Sequence, residues 1–222
     1  MLNWMTTFAT APTGWGGWPF GWNTSLQTGI AHYWKCDLNG SFPDEVWGNT
    51  WTLNWPTFRA SWKINWDYDY DNANDYVAIT ALASWIKSLS MWAQKEATGQ
   101  FGRVMWNTAW TMYLFQLWND GKNYSNLWVW TISFSQTDDT NYHHYVITTD
   151  GVNVRLYNDW VLQITTAYTG DLSWFDQIWK YTTVNAPTNL WNWPIDEIWG
   201  WTKTLTAQDV TDLYNSWTWL SY

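Results

Sequence analysis

Residues 142–164 constrain the fold more than any other tract, because they admit little besides consecutive short β-strands. Residues 145–149 are β-branched and aromatic, Asp150-Gly151 is a two-residue hairpin signal, and Val152, Val154 and Leu156 alternate with Asn153, Arg155 and Tyr157. A second turn should close this ladder at Asn158-Asp159-Trp160. Tryptophan stands there in a place that asks for a residue tolerant of positive φ, which is normally glycine.

Similar strand-and-turn units flank the ladder. Residues 30–36 read as a first strand and 37–45, with Asn39-Gly40 and Pro43, as a loop. Residues 50–53 and 58–64 read as two more strands, each followed by an Asn-Trp turn. Residues 67–75 alternate acids with Tyr and Asn and read as a solvated hairpin turn, whereas 76–86 form an apolar strand containing Trp85. Asp67, Asp69 and Asp71 match the first acidic positions of an EF-hand loop. Asn72 and Ala78 stand where its glycine and bidentate glutamate belong, which excludes that loop. Residues 103–117 and 127–135 supply further strands across the turn Asn119-Asp120-Gly121-Lys122. The chain is irregular after Leu172 until a last strand at 194–198. Residues 204–214 are the one convincing helix, with Thr206 as N-cap, Asp209 in the first turn and an apolar face of Leu205, Val210, Leu213 and Tyr214. Many short strands with one short helix near the C-terminus predict an all-β fold, an antiparallel β-sandwich or jelly roll.

At 222 residues, one large domain is the default, with a core that needs no covalent staple. The low-periodicity, Gly/Trp-rich segment 1–24 reads as a linker or the end of a preceding module, and 25–222 as the domain itself. The formal charge of −9, with ten Lys and Arg spread singly, argues against nucleic acid or an anionic membrane as partner. Cys36 is the single cysteine and reads as a small buried hydrophobe. No stretch reaches the roughly 18 consecutive apolar residues of a membrane span, and residues 1–22 lack the basic start and apolar run of an export signal. Work outside the cell would then require a signal upstream of this piece, or membership in a larger particle.

Tryptophan accounts for 26 residues, against eight Phe and 13 Tyr. A glycan-binding platform would line such rings along one strand face. Here many follow turn formers instead: Asn54-Trp55, Asn65-Trp66, Asp159-Trp160 and Asn192-Trp193 sit beside the ordinary Asn39-Gly40, Asp120-Gly121 and Asp150-Gly151. The two sets look interchangeable. The pattern suggests that many tryptophans are glycine in the living protein, the product of a UGA codon that the source organism reads as glycine. The alternative is a genuinely Trp-rich chain. Converting about 21 of the 26 would raise glycine to roughly twice its usual share of about 7%, so some tryptophans must stay.

Five tracts in order carry a resemblance. They are residues 25–35, 72–77, 84–87, 143–146 with 156–159, and 194–198 followed by 205–210 and 213–216. Together they resemble the laminin-G-like jelly-roll domains of the concanavalin A-like lectin/glucanase superfamily, over about residues 25–222. In that family the positions of Trp51, Trp55, Trp66, Trp160, Trp193, Trp217 and Trp219 are typically glycine. Trp34 and Trp85 match family tryptophans, and Trp201 resembles one near the last strand. Tyr142 departs from the family, which usually has Trp before its paired histidines.

The chemistry points away from catalysis. Glycosidases need two carboxylates about 5 to 9.5 Å apart, and the chain has three glutamates, Glu45, Glu96 and Glu197, none in the superfamily's Glu-x-Asp-x-x-Glu spacing. Asp196 and Glu197 adjoin on a strand and should face opposite ways, as should His143 and His144. His32 is a lone strand histidine. The resemblance implies a structural calcium ion, with Asp37 and Asp196 as its ligands if the first and last strands pair, and Asn74 and Asp75 as weaker candidates. Solvated carboxylates or turn caps are the plainer reading. The expectation is a non-catalytic recognition module that binds a glycan or surface protein. It would belong with other modules to a larger adhesin, cell-wall or phage-like structural protein, extracellular, on a cell surface or on a virion. A structural spacer without ligand is the alternative, and a glycan-active enzyme the least favoured one.

Overall fold

A computed structural model describes residues 24–34, 42–46, 50–54, 57–60, 66–69, 76–78, 82, 84–94, 98, 102–106, 113–117, 121–127, 131–175, 177–178 and 195–216. In chain order the elements are α1 (Thr24–Gln27), β1 (Ile30–Trp34), β2 (Phe42–Pro43), β3 (Thr50–Asn54), β4 (Thr57–Ala60), β5 (Trp66–Asp69), β6 (Tyr76–Ala78), β7 (Ser88–Gln94) and β8 (Gly102–Trp106). They continue with β9 (Tyr113–Leu117), β10 (Lys122–Asn126), β11 (Thr131–Ser135), β12 (Tyr142–Thr149), β13 (Asn153–Asn158), β14 (Val161–Ala167), β15 (Gln177–Ile178), β16 (Ile195–Trp201) and α2 (Ala207–Ser216). Among the described residues the strands form two eight-stranded sheets. One runs β14-β13-β12-β7-β16-β5-β4, with β1 also paired to β16, and the other runs β11-β10-β9-β8-β15-β6-β3-β2. This is the antiparallel β-sandwich that the turn spacing predicts.

The β12–β14 ladder forms where the hairpin signals place it. β12 and β13 pair up to Thr149↔Val154. That pair leaves residues 150–153 between its two members: the Asp150 N–H donates to the Asn153 carbonyl (3.1 Å), the Asp150 carboxylate accepts the N–H groups of Val152 (2.9 Å) and Asn153 (2.7 Å), and Gly151 takes φ +83°. The next turn is tighter. Asn158 pairs with Val161, which leaves Asp159-Trp160 as a two-residue loop.

Alternation along the strands sorts apolar side chains into two cores. Leu89, Met91 and Ala93 of β7, Tyr145 and Ile147 of β12, and Leu156 of β13 meet Leu114, Phe115, Ile132 and Phe134 of the second sheet. On the outer face, Tyr33, Trp92, Val146, Tyr157, Trp199 and Trp201 pack with Leu205, Val210 and Leu213 at α2. The helix starts as predicted, with reciprocal capping: Thr206 Oγ1 accepts the Asp209 N–H (3.1 Å) and the Asp209 carboxylate accepts the Thr206 N–H (2.9 Å).

Several expectations need correction. Residues 76–86 are not one strand, because β6 ends at Ala78 and Ser84-Trp85 is a turn leading into β7. β7 itself, which the apolar pattern does not reveal, is central and pairs with β12 and β16. Its serines are buried and bonded: Ser88 Oγ meets Thr148 Oγ1 (2.7 Å) and donates to the Lys203 carbonyl (2.8 Å), and Ser90 Oγ meets His144 Nε2 (2.7 Å). Asp67 and Asp69 lie in β5 rather than in a turn, with Asp67 opposite Arg59 in the register. Residues 1–23, expected as linker, lie outside the described residues, as do Cys36, Asp71 and Asn72.

Candidate functional site

Among the described residues, the most concentrated polar chemistry lies where β12 begins beside the β13–β14 turn. Asp159 and Trp160 both take positive φ, +47° and +62°. Those signs match the type I′ hairpin turn, whose twist fits that of the flanking strands. The turn aims the Asp159 carboxylate at two consecutive residues of β12. One oxygen accepts the His144 backbone N–H (2.9 Å) and the other meets His143 Nδ1 (2.6 Å). The opposite ring nitrogen, Nε2, meets Asp139 (2.9 Å), and the Asp139 carboxylate is oriented by the Asn141 backbone and side-chain amides. With a carboxylate on each side, both ring nitrogens donate and the ring is an imidazolium. Burial alone would lower the His143 pKa, but Asp159 and Asp139 outweigh it and raise it.

His144 has the opposite fate. It is fully buried on the outer face, with its ring stacked on Trp92 at 5.0 Å. Burial pushes its pKa down to about 3, against a raising influence from Asp159, so it is neutral. The two histidines do face opposite ways, as strand alternation requires: His143 lies beside Tyr145 of the inter-sheet core and His144 beside Trp92 of the outer one. His144 is shut away from any substrate, while both ring nitrogens of His143 are engaged by carboxylates. His32 is also structural. Its Nδ1 lies 2.6 Å from Asp44 within the core, and the other Asp44 oxygen accepts the N–H groups of Tyr33 (3.2 Å) and Val46 (3.0 Å). Asp44 carries no motif that would single it out in the sequence.

The residues expected to hold calcium are only partly in view. β1 and β16 do pair antiparallel, with Trp34 opposite Ile198. Asp196 is 1% exposed, whereas Asp37, Asn74 and Asp75 lie outside the described residues. Among the described residues no cluster of three or more His, Cys, Asp or Glu could hold a metal ion. The simple alternation of Asp196 and Glu197 also fails. β16 carries an extra residue between Asp196↔Trp92 and Trp199↔Ser90, Glu197 takes φ +50°, and both side chains are buried.

The tryptophans separate by environment. Trp34, Trp92, Trp199 and Trp201 are buried, and Trp201 Nε1 donates to the Leu26 carbonyl (2.9 Å). Trp160 is 44% exposed in its turn, with its ring 4.2 Å from that of Tyr214. Trp85, expected to match a family tryptophan, is instead 70% exposed in a turn at φ +71°. Trp66, expected in a turn, is the first residue of β5, opposite Ala60; aromatic residues suit a strand position. Trp51 is likewise a strand residue, in β3. Trp55, Trp193, Trp217 and Trp219 lie outside the described residues. Trp174 is 53% exposed in a neighbouring turn, held to Ile86 by Leu172 N–H to Ile86 O (2.7 Å) and Ile86 N–H to Ser173 Oγ (2.9 Å).

No known family profile matches the chain, and no curated protein matches it. Solved structures do. A Trypanosoma rangeli sialidase in complex with 2,3-difluorosialic acid, a covalent intermediate, aligns at TM-score 0.67 and 11% identity over 87% of this chain and 33% of its own. The chain thus spans about a third of that enzyme. A botulinum neurotoxin serotype D/C binding domain aligns at TM-score 0.62 and 14% identity over 86% of this chain and 53% of its own. Domain 4 of AbnA, a GH43 extracellular arabinanase from Geobacillus stearothermophilus solved with arabinotriose, aligns at TM-score 0.63 and 15% identity over 83% of this chain and 98% of that domain. At these identities the similarity is one of fold: the chain shares a β-sandwich with these proteins.

Proposed function

We propose that this chain is a laminin-G-like jelly-roll recognition module that binds carbohydrate without transforming it, within a larger extracellular, cell-surface or phage-like structural protein. The observation that carries the reading is the match to nearly the whole of the arabinotriose-bound domain, 98% of its length. A unit of this fold and little more serves there in a sugar complex. The non-catalytic part rests on the carboxylates and histidines. Among the described residues, Asp196 and Glu197 are buried, Asp139 and Asp159 are engaged by His143, and His144 is neutral and enclosed. A glycosidase needs two carboxyl groups free to reach a sugar.

The same reading takes many turn tryptophans as glycine in the organism. Trp160 supports it, as the second residue of a two-residue loop in which both residues take positive φ. A glycan array that includes arabino-oligosaccharides and sialylated glycans, followed by calorimetric titration with and without chelator, tests the function. Saturable binding without turnover is expected. A flat array from a protein that unfolds cooperatively would favour the spacer reading, and polysaccharide turnover would establish an enzyme. Loss of binding in chelator would support a bound calcium ion.

A further inference from the structure

We infer that position 85 belongs to the glycine set and position 92 does not, so that the organism's protein carries glycine at 85 and a genuine tryptophan at 92. This rests on the reading that UGA is glycine in the source organism, and it reverses the assignment that the family resemblance makes for Trp85.

Backbone conformation is the first line of argument. Five non-glycine residues among those described have positive φ: Trp85, Phe115, Asp159, Trp160 and Glu197. Asp tolerates the left-handed region through its short polar side chain. Phe115 and Glu197 lie in strands with an extra residue, and both are buried. The remaining two are tryptophans in turns, each preceded by a turn-forming residue, Ser84 or Asp159. Their φ values of +71° and +62° stand close to those of Gly29 (+74°), Gly121 (+72°) and Gly151 (+83°). In that conformation a Cβ crowds the following carbonyl, and an indole adds nothing to relieve it.

The turn at 85 has little freedom to relax. Ile86 N–H donates to Ser173 Oγ (2.9 Å), Leu172 N–H donates to Ile86 O (2.7 Å), and Lys87 N–H donates to Trp201 O (2.8 Å). The chain leaving residue 85 is thus bonded to two other segments before β7 begins. An indole that is 70% exposed recovers little burial in return. Trp92 contrasts on every count. It sits mid-strand, is 2% exposed, and packs against His144 (5.0 Å) and Tyr214 (5.5 Å) beneath α2. Glycine there would leave a void that no neighbour fills. For the recognition function, the consequence is that a sugar-stacking platform is not built from Trp85 or Trp160, however exposed those rings are.

The test is to read codons 85, 92 and 160 in the gene, and to map by mass spectrometry the corresponding peptides of protein purified from the source organism. UGA at 85 and 160 with glycine in both peptides, and UGG at 92 with tryptophan, is expected. Glycine at 160 with tryptophan at 85 would overturn this inference and leave the turn reading standing. Tryptophan at both would overturn the two together, and glycine at 92 would refute the separation of the sites.

Discussion

His144 makes the fold acid-sensitive in a window that can be computed. Its ring is fully buried, burial drives its pKa to about 3, and an unfolded histidine titrates near 6.5. A depressed histidine pKa means that the unfolded chain binds a proton the folded chain refuses. Stability is then intact above about pH 6.5 and falls as pH drops toward 3, by up to about 1.4 kcal/mol per pH unit. Between about pH 6 and about pH 4.5 the loss integrates to roughly 2 kcal/mol. His143 adds little slope there, because its raised pKa keeps it protonated in the fold while the unfolded form is mostly protonated too. Urea unfolding of the protein and of His144→Gln at several pH values isolates the effect. Gln cannot titrate, so the stability difference between the two proteins should shrink by roughly 2 kcal/mol across that window. A difference constant to within about 0.5 kcal/mol would refute the buried, neutral His144.

Three further outcomes follow from named contacts. The His143 imidazole, followed by NMR, should titrate above the ordinary histidine value, and Asp159→Asn should bring it down; because that pKa is raised, its contribution to stability is present below about pH 6.5 and is lost as pH rises through the folded value. Asp44→Ala strips His32 and the Tyr33 and Val46 amides of a shared acceptor and should cost about 3 kcal/mol in denaturant unfolding. Thr206→Ala removes one half of the reciprocal cap at the start of α2 and should cost about 1 kcal/mol by the same assay.

How far the sequence reveals the fold depends on whether local pattern and tertiary role coincide. The β12–β14 ladder, β16 and α2 are legible, because alternation, turn residues and capping all point the same way there. β7 is not. Its serines look like a polar face, yet Ser88 and Ser90 are buried against Thr148 and His144, on a strand covered by α2 on one side and the second sheet on the other. The bulges are equally hidden. Phe115 takes φ +52° where β9 spends three residues against two of β10, and its N–H finds Ser125 Oγ (3.1 Å), an arrangement fixed by the partner strand. At the candidate site, the paired histidines are visible in sequence, but their charge states depend on Asp139, Asp159 and Ser90, which only folding brings to the rings. Trp85 and Trp92 are both tryptophans in apolar surroundings along the chain, and their difference is one of φ and burial.

That difference gives the most direct test of the account, which holds that the tryptophans divide into rings that build the core and rings that occupy glycine positions. Denaturant unfolding of Trp85→Gly and Trp92→Gly, made in the tryptophan-bearing chain, measures it. Trp85→Gly removes a left-handed penalty of about 1 to 2 kcal/mol and adds a glycine entropy cost of about 0.5 to 1, so it should leave the protein unchanged or up to about 1.5 kcal/mol more stable. Trp92→Gly empties a buried site and should cost about 4 kcal/mol or more. Equal destabilisation by the two substitutions, or a loss of more than about 2 kcal/mol from Trp85→Gly, would contradict the division.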